Sequence, residues 1–168
     1  MFMADQFCEY IIKPALEDIG MYSKAAEQLL LGTACVESNL GTYLHQIKGP
    51  ALGVFQIEPA THSDVWENYL RYRGDLREII WDMVPDDGWE QEQGGNPDPS
   101  LLITDLRYAA VIARIIYRRS PMALPFENDW RSVAHVWKKV YNTHLGAGTV
   151  EKFMRSLVNC RVTSEGVR

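Results

Sequence analysis

Helical periodicity dominates the pattern of apolar and polar positions along this chain. Phe7, Tyr10, Ile11, Leu16 and Ile19 predict a first amphipathic segment, broken near Pro14. Ser23 carries the side chain of an N-cap for a second helix, which runs to about Ser38 and stops at Gly41. From His45 to Pro59 the spacing turns irregular. Gly49-Pro50 and Gly53 mark turns there, and Leu52, Val54, Phe55 and Ile57 suit either a short strand or a buried loop.

Further along, Thr61 is placed to cap a helix through Val65, Trp66, Tyr69, Leu70 and Tyr72, after which Gly74 interrupts and Asp75 to Met83 predict another helix. The strongest pattern covers Leu101 to Arg119. Leu102, Leu106, Ala109, Ala110, Ala113, Ile116 and Tyr117 share an apolar face, with Arg107, Arg114, Arg118 and Arg119 outside it. Pro121 and Pro125 end that helix. Asp129 caps one through Val133, Val136, Trp137 and Val140, and Thr149 to Leu157 predict a last one. Residues 85–99, acidic and rich in glycine and proline, read as a surface loop. The expected fold is mainly α: one domain over 1–168, with short strands or irregular chain around 45–59.

At 168 residues and 46% hydrophobic, the chain suits one well-filled core and is short for two domains. A net charge of -5 argues against an electrostatically driven nucleic-acid binder or a protein of anionic membrane surfaces, so a ligand is held by shape and hydrogen bonds. Cys8, Cys35 and Cys160 show no metal-type spacing and make an odd count, which reads as reduced thiols. His45, His62, His135 and His144 form no HExxH or paired signature, so neither a metal nor a cofactor is expected. Gly146-Ala147-Gly148-Thr149 lacks the P-loop lysine, and Arg73-Gly74-Asp75 is a tripeptide common by chance. The start, Met1 to Gln6, lacks a basic segment followed by a long apolar stretch, and no run reaches the length of a membrane span. No signal peptide and no membrane insertion are expected.

Glu37 is the residue with chemical promise. It ends the apolar run Leu29 to Val36 and precedes Ser38-Asn39-Leu40-Gly41. A carboxyl group held against apolar side chains has its charged form disfavoured, so it keeps a proton to donate nearer neutral pH. The plainer alternative is a polar last turn on a buried helix.

Two further segments join it in sequence order: Gly53-Val54-Phe55-Gln56-Ile57, and Tyr141-Asn142-Thr143 with Gly146 beyond. Together with Glu37-Ser38 they resemble the lytic transglycosylases of the lysozyme superfamily. That family shows a Glu-Ser pair, a Gly-Leu-Met-Gln-Ile-like segment and an Ala-Tyr-Asn-x-Gly-like segment, with a long helix between the last two. The resemblance spans about residues 27–153, and Lys48 to Gly53 and Tyr141-Asn142-Thr143 look like phage-encoded members. It implies a lysozyme-like domain that cuts the bond between N-acetylmuramic acid and N-acetylglucosamine in peptidoglycan. Glu37 would first protonate the glycosidic oxygen and then, as base, close a 1,6-anhydro ring. Substrate contacts would fall to Ser38, Phe55, Gln56, Tyr141 and Asn142. Two departures bear on those contacts: Val54-Phe55 stands for Leu-Met, and Thr143-His144-Leu145 lengthens the last motif.

Two alternatives compete. Glu58, Asp64 or Glu67 could hold a water and make a hydrolysing lysozyme. A lysozyme-like structural or glycan-binding module of a virion or secretion machine would keep the groove without turnover. In each case the partners are peptidoglycan strands and other virion or secretion-apparatus proteins, and the place of action is the bacterial cell wall, reached by a phage virion or a specialised apparatus. Of five tryptophans, Trp66, Trp81 and Trp137 fall on apolar helix faces, while Trp89, in the polar loop, is expected to be exposed.

Overall fold

A computed structural model of the chain describes residues 1–86, 95–142 and 148–162. Helix α1 (Ala4–Phe7) passes through one wide π turn, Cys8–Ile12, into α2 (Lys13–Asp18). The expected break at Pro14 does not occur. Pro14 lies in the first turn of α2, and the wide turn before it absorbs the missing N–H and the crowding of the ring.

Helix α3 (Lys24–Ser38) begins as predicted, with Ser23 Oγ accepting from the Ala26 N–H at 3.1 Å. It stops at Asn39 (φ 50), ahead of Gly41, because Asn tolerates the left-handed conformation. Leu40 follows at φ 51 with its side chain fully buried, and that burial opposes the backbone strain.

Between 45 and 57 there is no strand among the described residues. Two isolated antiparallel bridges, His45 with Leu52 and Leu52 with Ile57, fold this stretch into a tight knot. Its turn passes through Gly53 (φ 74) and Gln56 (φ 48). Gly53 is needed there: a Cβ would lie 1.9 Å from the Leu102 carbonyl oxygen.

Helix α4 (Pro59–Asn68) opens on Pro59, and Thr61 lies inside it instead of capping it. A 3₁₀ turn, Leu70–Tyr72, leads to α5 (Gly74–Trp81). Tyr72, expected on the apolar face, is 73% exposed because the helix has already ended. Trp66 is buried, whereas Trp81 keeps a solvent-facing edge under the Arg77 guanidinium.

The long helix predicted over Leu101 to Arg119 is divided into α6 (Leu101–Thr104) and α7 (Leu106–Arg118). Asp105 is the cause. Its extended backbone and its carboxylate, which accepts from the Arg107 and Tyr108 N–H groups at 2.9 Å, start a new helix. Helix α7 is buried on nearly every side and packs on α2, α3 and α4. Tyr108 on α7 meets α4 through His62 Nε2 at 2.6 Å and the Trp66 indole N–H at 2.9 Å. Burial pushes His62 down to about 4, so it is neutral here. Arg114 corrects the pattern: it was expected outside the apolar face, yet it is buried.

Helix α8 (Trp130–Val136), capped by Asp129, runs into a second π turn, Trp137–Tyr141, and α9 (Val150–Asn159) starts at its Thr149 cap. Helix α9 lies across α3 at Gly32. A Cβ on Gly32 would sit 2.3 Å from Phe153 Cζ, so glycine lets the buried phenylalanine ring touch the α3 backbone. One hydrophobic core runs through all these helices, from Phe7 to Cys160.

Gly32→Ala should therefore force Phe153 out of place and cost about 1–3 kcal/mol of stability, measured by urea unfolding. Phe153→Leu in the same chain should recover part of the loss. A change below about 0.5 kcal/mol in the single variant, the size of an ordinary surface substitution, would mean that this contact is not tight.

Candidate functional site

Glu37 occupies the last turn of α3, most of its side chain covered and part open to solvent. Its Oε1 accepts the indole N–H of Trp137 at 2.8 Å. Burial raises the pKa of the carboxyl above the usual glutamate range, and the Trp137 N–H and the Lys152 ammonium on α9 oppose that shift without cancelling it. The negative end of the α3 dipole acts in the same direction as burial, since it disfavours a negative charge.

Trp137 is fixed by its neighbours. Its ring is buried, with its centroid 5.4 Å from that of Phe153. Gly148 makes room for it: a Cβ there would lie 2.3 Å from the indole Cη2. Asn142 holds this corner closed, its Oδ1 accepting from Lys138 Nζ at 2.9 Å and from the Gly148 N–H at 3.1 Å. Asn142 itself keeps right-handed helical backbone (φ -77).

Three segments far apart in sequence are bonded together here. Ser38 Oγ donates to the Val54 carbonyl at 2.6 Å and accepts from the Gly41 N–H at 2.8 Å. Tyr141 Oη donates to the Phe55 carbonyl at 2.9 Å. The α3 end and the second π turn therefore grip the 53–57 turn from two sides. Tyr141 also stacks on Tyr117, centroids 5.3 Å apart, and Tyr117 Oη is 2.7 Å from Thr33 Oγ1. Burial, and next the charge of Glu37, hold the Tyr141 hydroxyl well above its ordinary pKa.

Two expected substrate contacts are corrected. Ser38 is fully buried with its hydroxyl committed to backbone, and the Phe55 ring is fully buried beside Phe7. Both build the wall from behind, Phe55 through its carbonyl. Gln56 lies at the surface of the same turn, partly buried, its Nε2 donating to the Gly53 carbonyl at 2.8 Å. That bond leaves one amide hydrogen and the oxygen of Gln56 uncommitted to Gly53.

Trp137 and Lys152 are the site residues that sequence reasoning missed. Trp137 was read as a core anchor, and only its position one helical turn before Tyr141 hinted at a shared face. Among the carboxylates proposed as a second catalytic group, Asp64 pairs with Arg119 and Glu67 accepts from Asn96. Among the described residues the charged group that bears on Glu37 is Lys152. Also among the described residues, no three His, Cys, Asp or Glu side chains converge on a metal-sized space, and no helix is long and apolar enough to cross a membrane. Trp89, His144, Gly146 and most of the 85–99 loop lie outside the described residues. No family model, curated protein or solved structure matches this chain.

The raised carboxyl has a stability consequence. Glu37 binds its proton more tightly in the folded than in the unfolded chain, so its contribution is fully present below the unfolded value of about 4.3 and is lost as pH rises through the folded one. Glu37→Gln, neutral at every pH, should gain stability relative to wild type as pH is raised from below this window to 7. Urea unfolding of both proteins across that range checks it; a difference independent of pH would contradict the raised pKa.

Proposed function

We propose that the chain is a peptidoglycan lytic transglycosylase with a lysozyme-like arrangement of its helices, and that Glu37 is its acid and then its base. The observation that carries this is the Glu37 carboxyl, its pKa raised by burial and its Oε1 held by the Trp137 N–H, beside the segments that resemble the family. Because Oε1 accepts the indole N–H, the proton of the neutral acid belongs on Oε2. Glu37 gives that proton to the glycosidic oxygen between N-acetylmuramic acid and N-acetylglucosamine. The substrate's own acetamido group steadies the positive charge left on the sugar. The carboxylate then takes the proton of the C6 hydroxyl, which closes the 1,6-anhydro ring and restores the acid. No water is consumed. That sequence uses one carboxyl.

Lys152 and the Trp137 N–H both favour the ionised form, so they steady Glu37 after it has given up its proton. Under this reading Gln56 offers its amide to the sugar, while Tyr141 pins the turn that carries it and Asn142 holds the corner beside it. The partners under this proposal are glycan strands of the bacterial wall, reached with the help of virion or secretion-apparatus proteins.

Purified peptidoglycan incubated with wild-type protein should release 1,6-anhydro-muropeptides, identified by mass spectrometry. Glu37→Gln should lower their rate of release by roughly 10²–10⁴-fold, the worth of a positioned general acid. Reducing-end products would instead make the protein a hydrolase, and an unimpaired Glu37→Gln would remove Glu37 from the chemistry.

A further inference from the structure

Helix α7 carries three arginines and its C-cap a fourth, and their pairing is inverted with respect to burial. Exposed Arg107 pairs with Asp18, and Arg119 with Asp64. Arg114, only 7% exposed, makes no ion pair with any carboxylate among the described residues, and its buried Nε has no hydrogen-bond partner. The charge nearest in effect is Arg118, another cation, which together with burial disfavours the charged form of Arg114. A buried guanidinium nitrogen without a partner is costly, and each one in a folded chain calls for an explanation.

Arg114 lines a cavity of about 210 Å³ between α3, α7 and the second π turn. Arg118 and Ser120 share its rim, while Leu29, Val136 and Val140 supply apolar wall. The space equals roughly seven waters in volume, enough for a small organic molecule. Tyr117 also lines it and stacks on Tyr141, and none of Glu37, Gln56, Tyr141 and Asn142 is among its lining residues. The cavity is therefore distinct from the candidate active site, and nothing in the glycan proposal requires it.

We propose that this cavity binds a small organic carboxylate, its carboxylate held by the Arg114 guanidinium with Arg118 at the rim, and its aliphatic body against Leu29, Val136 and Val140. A planar guanidinium fork matches a carboxylate, and the apolar wall favours a ligand with a hydrocarbon body over a bare inorganic anion. Two cations and no acid around one space exclude an amine.

Isobutyrate is a suitable probe, with isobutyramide as its neutral isostere and inorganic phosphate as the competing anion. Isobutyrate should raise the Tm of the wild-type protein and shift the Arg114 Nε–Hε resonance in a ¹⁵N NMR spectrum. Isobutyramide and phosphate should each bind at least about tenfold more weakly. R114M, which keeps the volume and removes the charge, should abolish the response and should have a Tm without ligand equal to or above that of wild type, since an unpaired buried charge has gone. R118Q, at an exposed position, should weaken isobutyrate severalfold and keep the fold, so it reads the site even if R114M fails to fold. No response of wild type to isobutyrate, tighter binding of phosphate, or an unchanged isobutyrate response in R118Q together with a lowered Tm in R114M would overturn the proposal.

Discussion

Glu37 and Trp137 are 100 residues apart in sequence and 2.8 Å apart in space, and the hydrogen bond between them depends on how closely two other elements approach. Gly32 lets the Phe153 ring reach the α3 backbone, Phe153 backs the Trp137 indole, and the indole then delivers its N–H to the carboxyl. Each step is a packing constraint. Only the last is a polar bond, but without the packing its geometry would not be held. A carboxyl covered to this extent and left without a donor would pay its desolvation uncompensated; one N–H to Oε1 offsets part of that cost, and the pKa still stays above the usual glutamate range.

The neighbouring polar groups divide into those that build and those that remain for chemistry. Ser38 and Tyr141 spend their hydroxyls on the carbonyls of Val54 and Phe55, which pins the 53–57 turn between α3 and the second π turn. Asn142 spends its oxygen closing the corner behind Trp137. Glu37 stands apart from these structural bonds except for the indole N–H. This is an arrangement in which a rigid scaffold holds one carboxyl whose pKa burial raises.

Local signals foretold the helices well where caps are explicit. Ser23, Asp129 and Thr149 each accept from the backbone N–H three residues on, and the mainly α architecture follows from the apolar periodicity. Where the expectation failed, a local rule outweighed the period. Asp105 divides the α6–α7 stretch with its own cap, Pro59 moves the α4 start ahead of Thr61, and a π turn carries the chain through Pro14. The place of Glu37 on a helix end was legible, because an acid closing an apolar run stands out. The burial of Ser38, Phe55 and Arg114 and the part played by Trp137 were not, since each arises from contacts between segments that no short window contains. The knot at 45–57 is held by single bridges and a glycine pressed on Leu102, and its apolar residues alone do not separate that from a strand.

The most direct measurement is a site-resolved titration of the Glu37 carboxyl by ¹³C NMR, assigned by the loss of its signal in Glu37→Gln and repeated in Trp137→Phe. The midpoint in wild type should lie above the ordinary glutamate value of about 4.3, and removing the indole N–H should raise it further, because that bond favours the carboxylate. A wild-type midpoint at or below the ordinary value, or a fall in Trp137→Phe, would contradict the picture of a buried acid steadied by Trp137.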